Sequence, residues 1–373
     1  MNILFISQLY PLEENFKNST PALHYFTREW AKKHTVKVIR PYYYYEKEVV
    51  QKNKKVSING VEVIVVKPIW FPIVKKSLIS RKSILKLIDR KPDVIICHKN
   101  TAYLPFFFLK GHFNVPFIVG IHTTDILFSR KNLFKKRQRN VFKHTDLFAY
   151  RSNTIKKLFE NIFQEFSNQP SFIANSGIPE SAIRTKKTHK HSKMKRILYV
   201  GTLIDRKNAD KILIALSKLP FQFEFTVIGE GLNLEMLKKL SRKLGIDSHV
   251  FFKGFIQRKQ VFEEMDKHDY FVMPSINETF GLVYLEAMSR GMVVVGMRHT
   301  GIDGIIVDQK NGFLCENESQ RSITSKIRQV FELNPQQQQL VIDCALKTVR
   351  NYTNKKAADY YLKQIVNLIS KSM

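Results

Sequence analysis

The chain reads as an α/β protein built from two open, largely parallel sheets, one in each half. Three observations predict that class. Apolar runs of strand length alternate with helix-length segments from end to end, the pattern of strands joined by crossover helices. The 373 residues suffice for two domains with a core each. An apolar strand followed by a polar loop and a helix opens the chain at Ile3, and the same opening recurs at Arg196. Between them, residues 184–195 (RTKKTHKHSKMK) carry no apolar pattern and are the expected linker. The expected domains are residues 1–185 and 195–353.

Composition narrows the class further. Hydrophobic residues make up 44% of the chain, enough to build cores rather than stay disordered. No apolar run approaches the ~18 residues that span a bilayer. The start, MNILFISQLYPL, lacks the basic flank and small-residue cleavage site of a signal peptide and looks like a first strand. Cys97, Cys315 and Cys344 are scattered and odd in number, as suits a reducing, cytoplasmic setting, and none has a zinc-ligand spacing. Charge is uneven. Residues 1–190 hold 34 Lys and Arg against 13 Asp and Glu, and the remainder hold 27 against 19. A basic first half attracts a polyanion or an anionic membrane surface. No nucleic-acid recognition module accompanies that charge, so no nucleic-acid partner is expected.

In the first half, Ile3–Ser7 is a strand, residues 21–33 have helical spacing, and His34–Arg40 is the next strand. This β–loop–α–β opening is Rossmann-like. Ser19 and Thr20 stand in its loop, where both types suit a helix N-cap. Residues 41–60 read as a polar, tyrosine-rich connection ending in a turn at Asn59-Gly60, before the strand Val61–Val66. Residues 69–91 set Trp70, Phe71, Ile73, Leu78 and Ile79 beside Lys75, Lys76, Arg81 and Lys82. That is a basic amphipathic helix, which either lies in a membrane interface or covers the sheet with a solvated basic face. Val94–Cys97 is a strand and Tyr103–Leu109 a buried helix. The strand Phe117–Ile121 then delivers His122-Thr123-Thr124-Asp125 at its carboxyl end, where parallel sheets hold ligands. Asp125 is placed to cap the next helix or to orient His122. A second basic helix, 130–144, is another candidate for membrane contact. Leu147–Tyr150 and Phe172–Ala174 complete the sheet.

The second half restarts with Arg196–Val200 and a turn carrying Arg206 and Lys207. A cation pair at a strand-to-helix turn is placed to meet a diphosphate. Strand Phe223–Ile228, a helix over 232–244, strand Val250–Lys253 with Gly254-Phe255-Ile256 at its end, and a helix over 257–267 follow. Then comes YFVMPSINETFGLVYLEAMSRGMVVVG, residues 270–296. Strand Tyr270–Met273 breaks at Pro274, a polar loop carries Glu278, a helix opens near Gly281 and holds Glu286, and strand Val293–Val295 follows. The amides of Phe280, Gly281 and Leu282 open that helix and form a seat for phosphate. Two glutamates eight residues apart are by themselves ordinary solvated side chains. Flanking an anion seat, they suit a nucleotide diphosphate bearing hydroxyl-rich groups. After the loop Arg298–Asp303 and the short strand Phe313–Cys315, the chain is helical to its end.

The string ETFGLVYLE, followed by AMSRGMVVVG, resembles the E-x7-E signature of the fourth family of retaining glycosyltransferases. The resemblance implies a GT-B fold, two Rossmann-like domains facing each other across a cleft. It places a helix at about 354–373 back on the first domain. It implies transfer of a sugar from a nucleotide-diphosphate sugar, a UDP-sugar first, to an acceptor hydroxyl with retention. The implied enzyme is a hexosyl- or N-acetylhexosaminyltransferase acting on a lipid-linked or cell-surface glycan, cytoplasmic or peripheral on the inner membrane face. By the same resemblance, Glu278 binds the transferred sugar, Glu286 the ribose, and His122 lies against the sugar. Lys207, with Arg206, holds the diphosphate, and Gly254, Phe255 and Ile256 bring backbone to the nucleobase. No metal or other cofactor is expected.

The chain departs from the family pattern in three places. The first loop reads Asn18-Ser19-Thr20 where the family has a glycine pair, Thr202 stands where it has an arginine, and the loop Arg298–Asp303 has one glycine for two. These departures leave open a second class, an inactive subunit that keeps the fold and binds sugar nucleotide or scaffolds a partner transferase.

Overall fold

A computed structural model describes residues 1–12, 21–42, 55–67, 69–71, 76–78, 80–127, 132–185 and 193–372. The chain forms two compact units. One comprises Met1–Ser176 with Asn354–Met373, and the other Gly177–Thr353.

The first unit contains strands β1 (Asn2–Ser7), β2 (Thr35–Pro41), β3 (Lys55–Ile58), β4 (Val61–Val66), β5 (Ile69–Phe71), β6 (Lys76–Leu78), β7 (Val94–His98), β8 (Phe117–Ile121), β9 (Leu147–Tyr150) and β10 (Ser171–Ile173). Eight of them form one sheet in the order β10-β9-β8-β7-β1-β2-β4-β3, while β5 and β6 pair separately as a hairpin. Every neighbouring pair in the large sheet is parallel except β3 and β4. Both faces are buried. Leu4 and Ile6 enter one core, and Ile3 and Phe5 the other. Strands covered on both sides need continuous apolar runs, which is why they stand out in the sequence. The strand order reverses at β1 and β7, so the carboxyl ends of these strands are where such a sheet binds ligands.

The last helix, Asn354–Ser372, belongs to this unit. Trp30, on the helix His24–Ala31, donates its indole N–H to Ala358 O at 2.9 Å. The ring of Tyr361 lies edge-on to Phe26, Trp30 and Phe172 at 5.3, 5.1 and 4.8 Å. Burying rings of this size contributes on the order of 1.5–3 kcal/mol each, so the helix is a fixed part of the sheet's cover.

Several expectations are corrected here. Residues 69–91 do not form one amphipathic helix; they give the β5–β6 hairpin and a short helix, Arg81–Leu85. Ser80 sets that helix's start, its side chain accepting the Ser83 N–H at 3.3 Å. Residues 43–54 of the connection lie outside the described residues, but its end is strand β3 rather than loop. Asn59 and Gly60, with φ of 45° and 82°, form the hairpin turn that pairs β3 with β4. The single helix expected at 103–109 is two, Asn100–Phe106 and Phe108–Phe113. The basic helix expected at 130–144 spans Asn132–Lys143. The boundary between units also moves, from the 184–195 stretch to Ser176/Gly177. Ile178 N–H bonds Tyr352 O at 2.9 Å and Arg184 N–H bonds Ser289 O at 3.0 Å, which tie residues 177–185 to the second unit.

The second unit is a fully parallel six-stranded sheet of β11 (Lys195–Val200), β12 (Phe223–Ile228), β13 (Val250–Gly254), β14 (Tyr270–Val272), β15 (Val293–Met297) and β16 (Phe313–Cys315). The order is β13-β12-β11-β14-β15-β16, with its reversal between β11 and β14. Both units are therefore Rossmann-like α/β sheets, the second carrying the Glu278 loop at its switch point.

Candidate functional site

In the second unit, the chain leaves β11 and makes a tight turn over Asp205–Lys207, closed by Asn208 at φ 53°. Asn208 Nδ2 donates to Pro274 O at 2.7 Å, and Ile276 N–H donates to Arg206 O at 2.8 Å. These two bonds lock the turn after β11 to the loop after β14. The result is that side chains 71 residues apart meet. Lys207 Nζ donates to Glu278 Oε2 at 2.5 Å, Arg206 Nη1 lies 3.7 Å from the same oxygen, and Ser275 Oγ lies 3.4 Å from it. Lys207 and Glu278 are nearly buried, whereas Arg206 is 41% exposed and can swing toward a ligand.

The helix after Glu278 is Leu282–Ser289, starting from Gly281 at φ 83°. A Cβ on Gly281 would stand 2.6 Å from the Tyr284 ring, so glycine is needed for both backbone angle and space. Tyr284 in turn donates its hydroxyl to Met273 O, fastening the helix start to the end of β14. Phe280 is buried, and Leu282 packs against the core. Glu286, one turn further in, is 6% exposed and is held by the guanidinium of Arg258. A second loop supports Glu278 from the other side. Gly301 N–H donates to Glu278 O at 2.8 Å, and a Cβ on Gly301 would come within 2.2 Å of Thr279 O. The one glycine in that loop is thus the one its backbone contact requires.

Gly254, at φ 63°, ends β13, and its carbonyl accepts Gly229 N–H at 2.8 Å. Phe255 beside it is 42% exposed, while Ile256 packs onto the core. Thr202 points no cation at the site; its carbonyl accepts the Tyr199 hydroxyl at 3.1 Å.

In the first unit, His122 follows β8 and sits beside His98 at the end of β7, Nε2 to Nδ1 at 3.1 Å. Burial, together with Arg151, holds both imidazoles well below their ordinary pKa, and Lys99 adds to this at His122. Asp125 is buried, and its two oxygens accept the backbone N–H groups of Asn100 and His122, each at 2.7 Å. It therefore ties two loops together and does not touch the imidazole. Burial pushes its pKa up to about 7, against those amide bonds and Lys99, which favour the carboxylate. Ser19 and Thr20 lie outside the described residues.

The structure thus gathers Lys207, Arg206 and Glu278 into one cluster and gives Glu286 a partner, Arg258, that sequence reasoning missed. It also adds His98 and Tyr361 next to His122; Tyr361 lies 263 residues from His98 along the chain, with no local signal to link them. Among the described residues, no three His, Cys, Asp or Glu side chains group as a metal ion requires, and no helix is long and apolar enough to cross a membrane.

Comparison with known proteins shows what each half of the chain resembles. The description "Glycosyltransferase Family 4" matches residues 22–178, and "Glycosyl transferases group 1" matches residues 181–343. Two uncharacterized glycosyltransferases of Methanocaldococcus jannaschii are similar in sequence. MJ1178 is 23% identical over 223 residues, 60% of this chain and 60% of its own length. MJ1607 is 26% identical over 301 residues, 74% of this chain and 76% of its own. In fold, Anabaena Alr3699/HepE in complex with UDP-glucose superposes with a TM-score of 0.73 at 16% identity, over 100% of both chains. Residues 22–178 are thus similar to a family 4 glycosyltransferase domain and residues 181–343 to a group 1 domain, and the fold is that of GT-B glycosyltransferases.

Proposed function

We propose that the protein transfers a sugar from a nucleotide-diphosphate sugar to an acceptor hydroxyl with retention of configuration. The observation that carries this reading is the Lys207–Glu278 pair at the switch point of the second sheet, beside the start of the helix that bears Glu286. Two cations and a helix N-terminus suit a diphosphate, and two carboxylates suit the hydroxyls on either side of it. As the donor enters, Lys207 and Arg206 turn from Glu278 to the diphosphate, and Glu278 accepts hydroxyls of the transferred sugar. Glu286 takes the ribose, Gly254 and Phe255 border the base, and His122 contacts the sugar.

The leaving diphosphate gains charge as the glycosidic bond breaks. Lys207, Arg206 and the first amides of helix Leu282–Ser289 stabilise it without a metal. The glycosidase route to retention needs a carboxylate nucleophile under the ring. With Glu278 given to the sugar hydroxyls and Glu286 to the ribose, neither is assigned that place, so we favour attack on the face the diphosphate leaves, a donor phosphate oxygen taking the acceptor's proton. UDP-sugars are the first donors to test, because HepE, which shares the fold, binds UDP-glucose. The basic first unit favours a lipid-linked acceptor at an anionic membrane surface.

Thermal shift with UDP, GDP, ADP and CMP and their common sugars tests the reading. One diphosphate family should stabilise the protein, since ligands that bind only the native state raise its apparent stability. Lys207→Ala should weaken that nucleotide by ~10-fold or more, the size of one charged hydrogen bond. Equal response of Lys207→Ala and wild type to every nucleotide would refute the site. Stabilisation by a nucleotide sugar that is never turned over would identify an inactive subunit instead.

A further inference from the structure

We propose that His98 and Tyr361 are positioning residues that hold His122 as a neutral imidazole protonated on Nδ1, so that it meets the sugar as a hydrogen-bond donor and not as a base. The functional half of this inference rests on the placement of His122 at the sugar proposed above; the protonation itself follows from contacts within the first unit.

His98 is fully buried. Its ring stacks on Phe5 at 5.3 Å, and Gly120 on the neighbouring strand leaves the space it fills, since a Cβ there would stand 2.1 Å from its Nδ1. Each imidazole nitrogen of His98 has a defined neighbour. Nε2 lies 3.1 Å from the Tyr361 hydroxyl, and Nδ1 lies 3.1 Å from His122 Nε2. The direction of the chain starts at Tyr361. Burial raises its pKa, so the phenol keeps its proton, and among the described residues His98 Nε2 is its one hydrogen-bond partner. A buried O–H pointed anywhere else would be unpaired. Tyr361 therefore donates to His98 Nε2. The remaining proton of neutral His98 must sit on Nδ1, where it is donated to His122 Nε2. That nitrogen is now an acceptor, and the proton of neutral His122 is left on Nδ1.

The surroundings keep both rings neutral. Arg151 is buried beside them, its guanidinium donating to Ala174 O at 2.6 Å and to Ser176 Oγ, and Lys99 also acts on His122. Asp125, three residues beyond His122, spends its oxygens on backbone amides. In the Ser-His-Asp arrangement a histidine base has a carboxylate on its far nitrogen that stabilises the imidazolium. Here the far nitrogen meets a neutral imidazole, and the nearby charges are positive. His122 is built to give a hydrogen bond and not to take a proton.

The test is the tautomer itself, read from long-range proton–nitrogen correlations of the 15N-histidine-labelled full chain, with His98→Asn and His122→Asn assigning the two rings. Nδ1 should carry the proton in both, unchanged between pH 6.5 and 8. Tyr361→Phe removes only the hydroxyl that sets the direction, so in that variant the two rings lose their single tautomer and shift toward Nε2–H. Turnover of UDP-glucose, used as probe, should fall ~10-fold in kcat for Tyr361→Phe, with KM changed less than ~2-fold, as expected when one hydrogen bond made in the transition state is lost. A wild-type His122 protonated on Nε2, or on both nitrogens, overturns the relay, and that spectrum decides even if Tyr361→Phe does not fold. Spectra of Tyr361→Phe identical to wild type overturn the part played by Tyr361. Full turnover by His122→Ala would instead remove His122 from the sugar, leaving the tautomer intact and the proposed contact wrong.

Discussion

Glu286, proposed above as the ribose acceptor, is also a residue that the fold must pair. A carboxylate 6% exposed is costly unless paired, and Arg258, from the helix Arg258–Lys267, supplies the pair. Removing one partner of a buried pair leaves an unpaired charge, which costs more than the pair contributes. Arg258→Met should therefore destabilise the protein by roughly 2–3 kcal/mol, below the full buried-pair figure because Arg258 is 24% exposed. Arg258→Met combined with Glu286→Gln should recover most of that loss in urea unfolding, since a neutral amide tolerates burial. It should still bind the nucleotide ~10-fold more weakly than wild type by calorimetry, having lost the carboxylate acceptor. A double variant no more stable than Arg258→Met would show that the pair is not what holds this corner.

At the scale of one element, the helix Asn132–Lys143 separates two ways of meeting a membrane. Val141 and Phe142 are buried in the core, and Gln138 is buried and donates to Tyr103 Oη at 2.8 Å and Asp125 O at 3.0 Å. Its described apolar residues are therefore spent on the protein, while Lys136, Arg137, Arg139 and Lys143 are exposed. The contact such a helix offers a membrane is then one of charge rather than of an inserted apolar face. Binding to vesicles containing phosphatidylserine should be strong at low salt and lost near 0.5 M, where the screening length is only a few ångströms. With each cation worth about 1 kcal/mol at an anionic surface, Lys136→Glu with Arg137→Glu should weaken it ~30-fold or more. Vesicle sedimentation indifferent to both salt and these charges would end the electrostatic reading.

For the molecule as a whole, the buried histidines set the response to acid. His98 and His122 are held in the fold below the 6.5 of the unfolded chain, and His268 in the second unit is shifted the same way, chiefly by burial. As pH falls through 6.5, the unfolded chain takes up protons that the folded chain refuses. Their contribution is therefore complete above that value and lost below it. Asp125 has the opposite sign, since its folded value of about 7 lies above the unfolded 3.8, and it offsets one of the three. Paired carboxylates such as Asp266, lowered in the fold, lose their share only in more acid solution. Tm should drop between pH 7.5 and 5.5, and drop less in His98→Asn. A flat or rising Tm over that window would contradict the neutral histidines.

How much of this was legible depends on the range over which each feature is fixed. The strands buried on both faces announce themselves as apolar runs, because every side chain on them must leave water. The Glu278–Glu286 spacing, the Lys207 turn and the glycine at 281 are local patterns, each set by one turn of backbone, so the sequence determined them and the fold class with them. Residues 69–91 misled because amphipathic spacing weighs side chains and not backbone donors; the β5–β6 pairing and the Ser80 cap decided against one long helix. The partners of the site residues belong to tertiary structure alone. Arg258 reaches Glu286 across 28 residues, Lys207 reaches Glu278 across 71, and Tyr361 reaches His98 across 263. Nothing in the spacing of such pairs constrains them, because a hydrogen bond is set by distance in space, and only the packing of helices on sheets brings those atoms within 3 Å or so of each other.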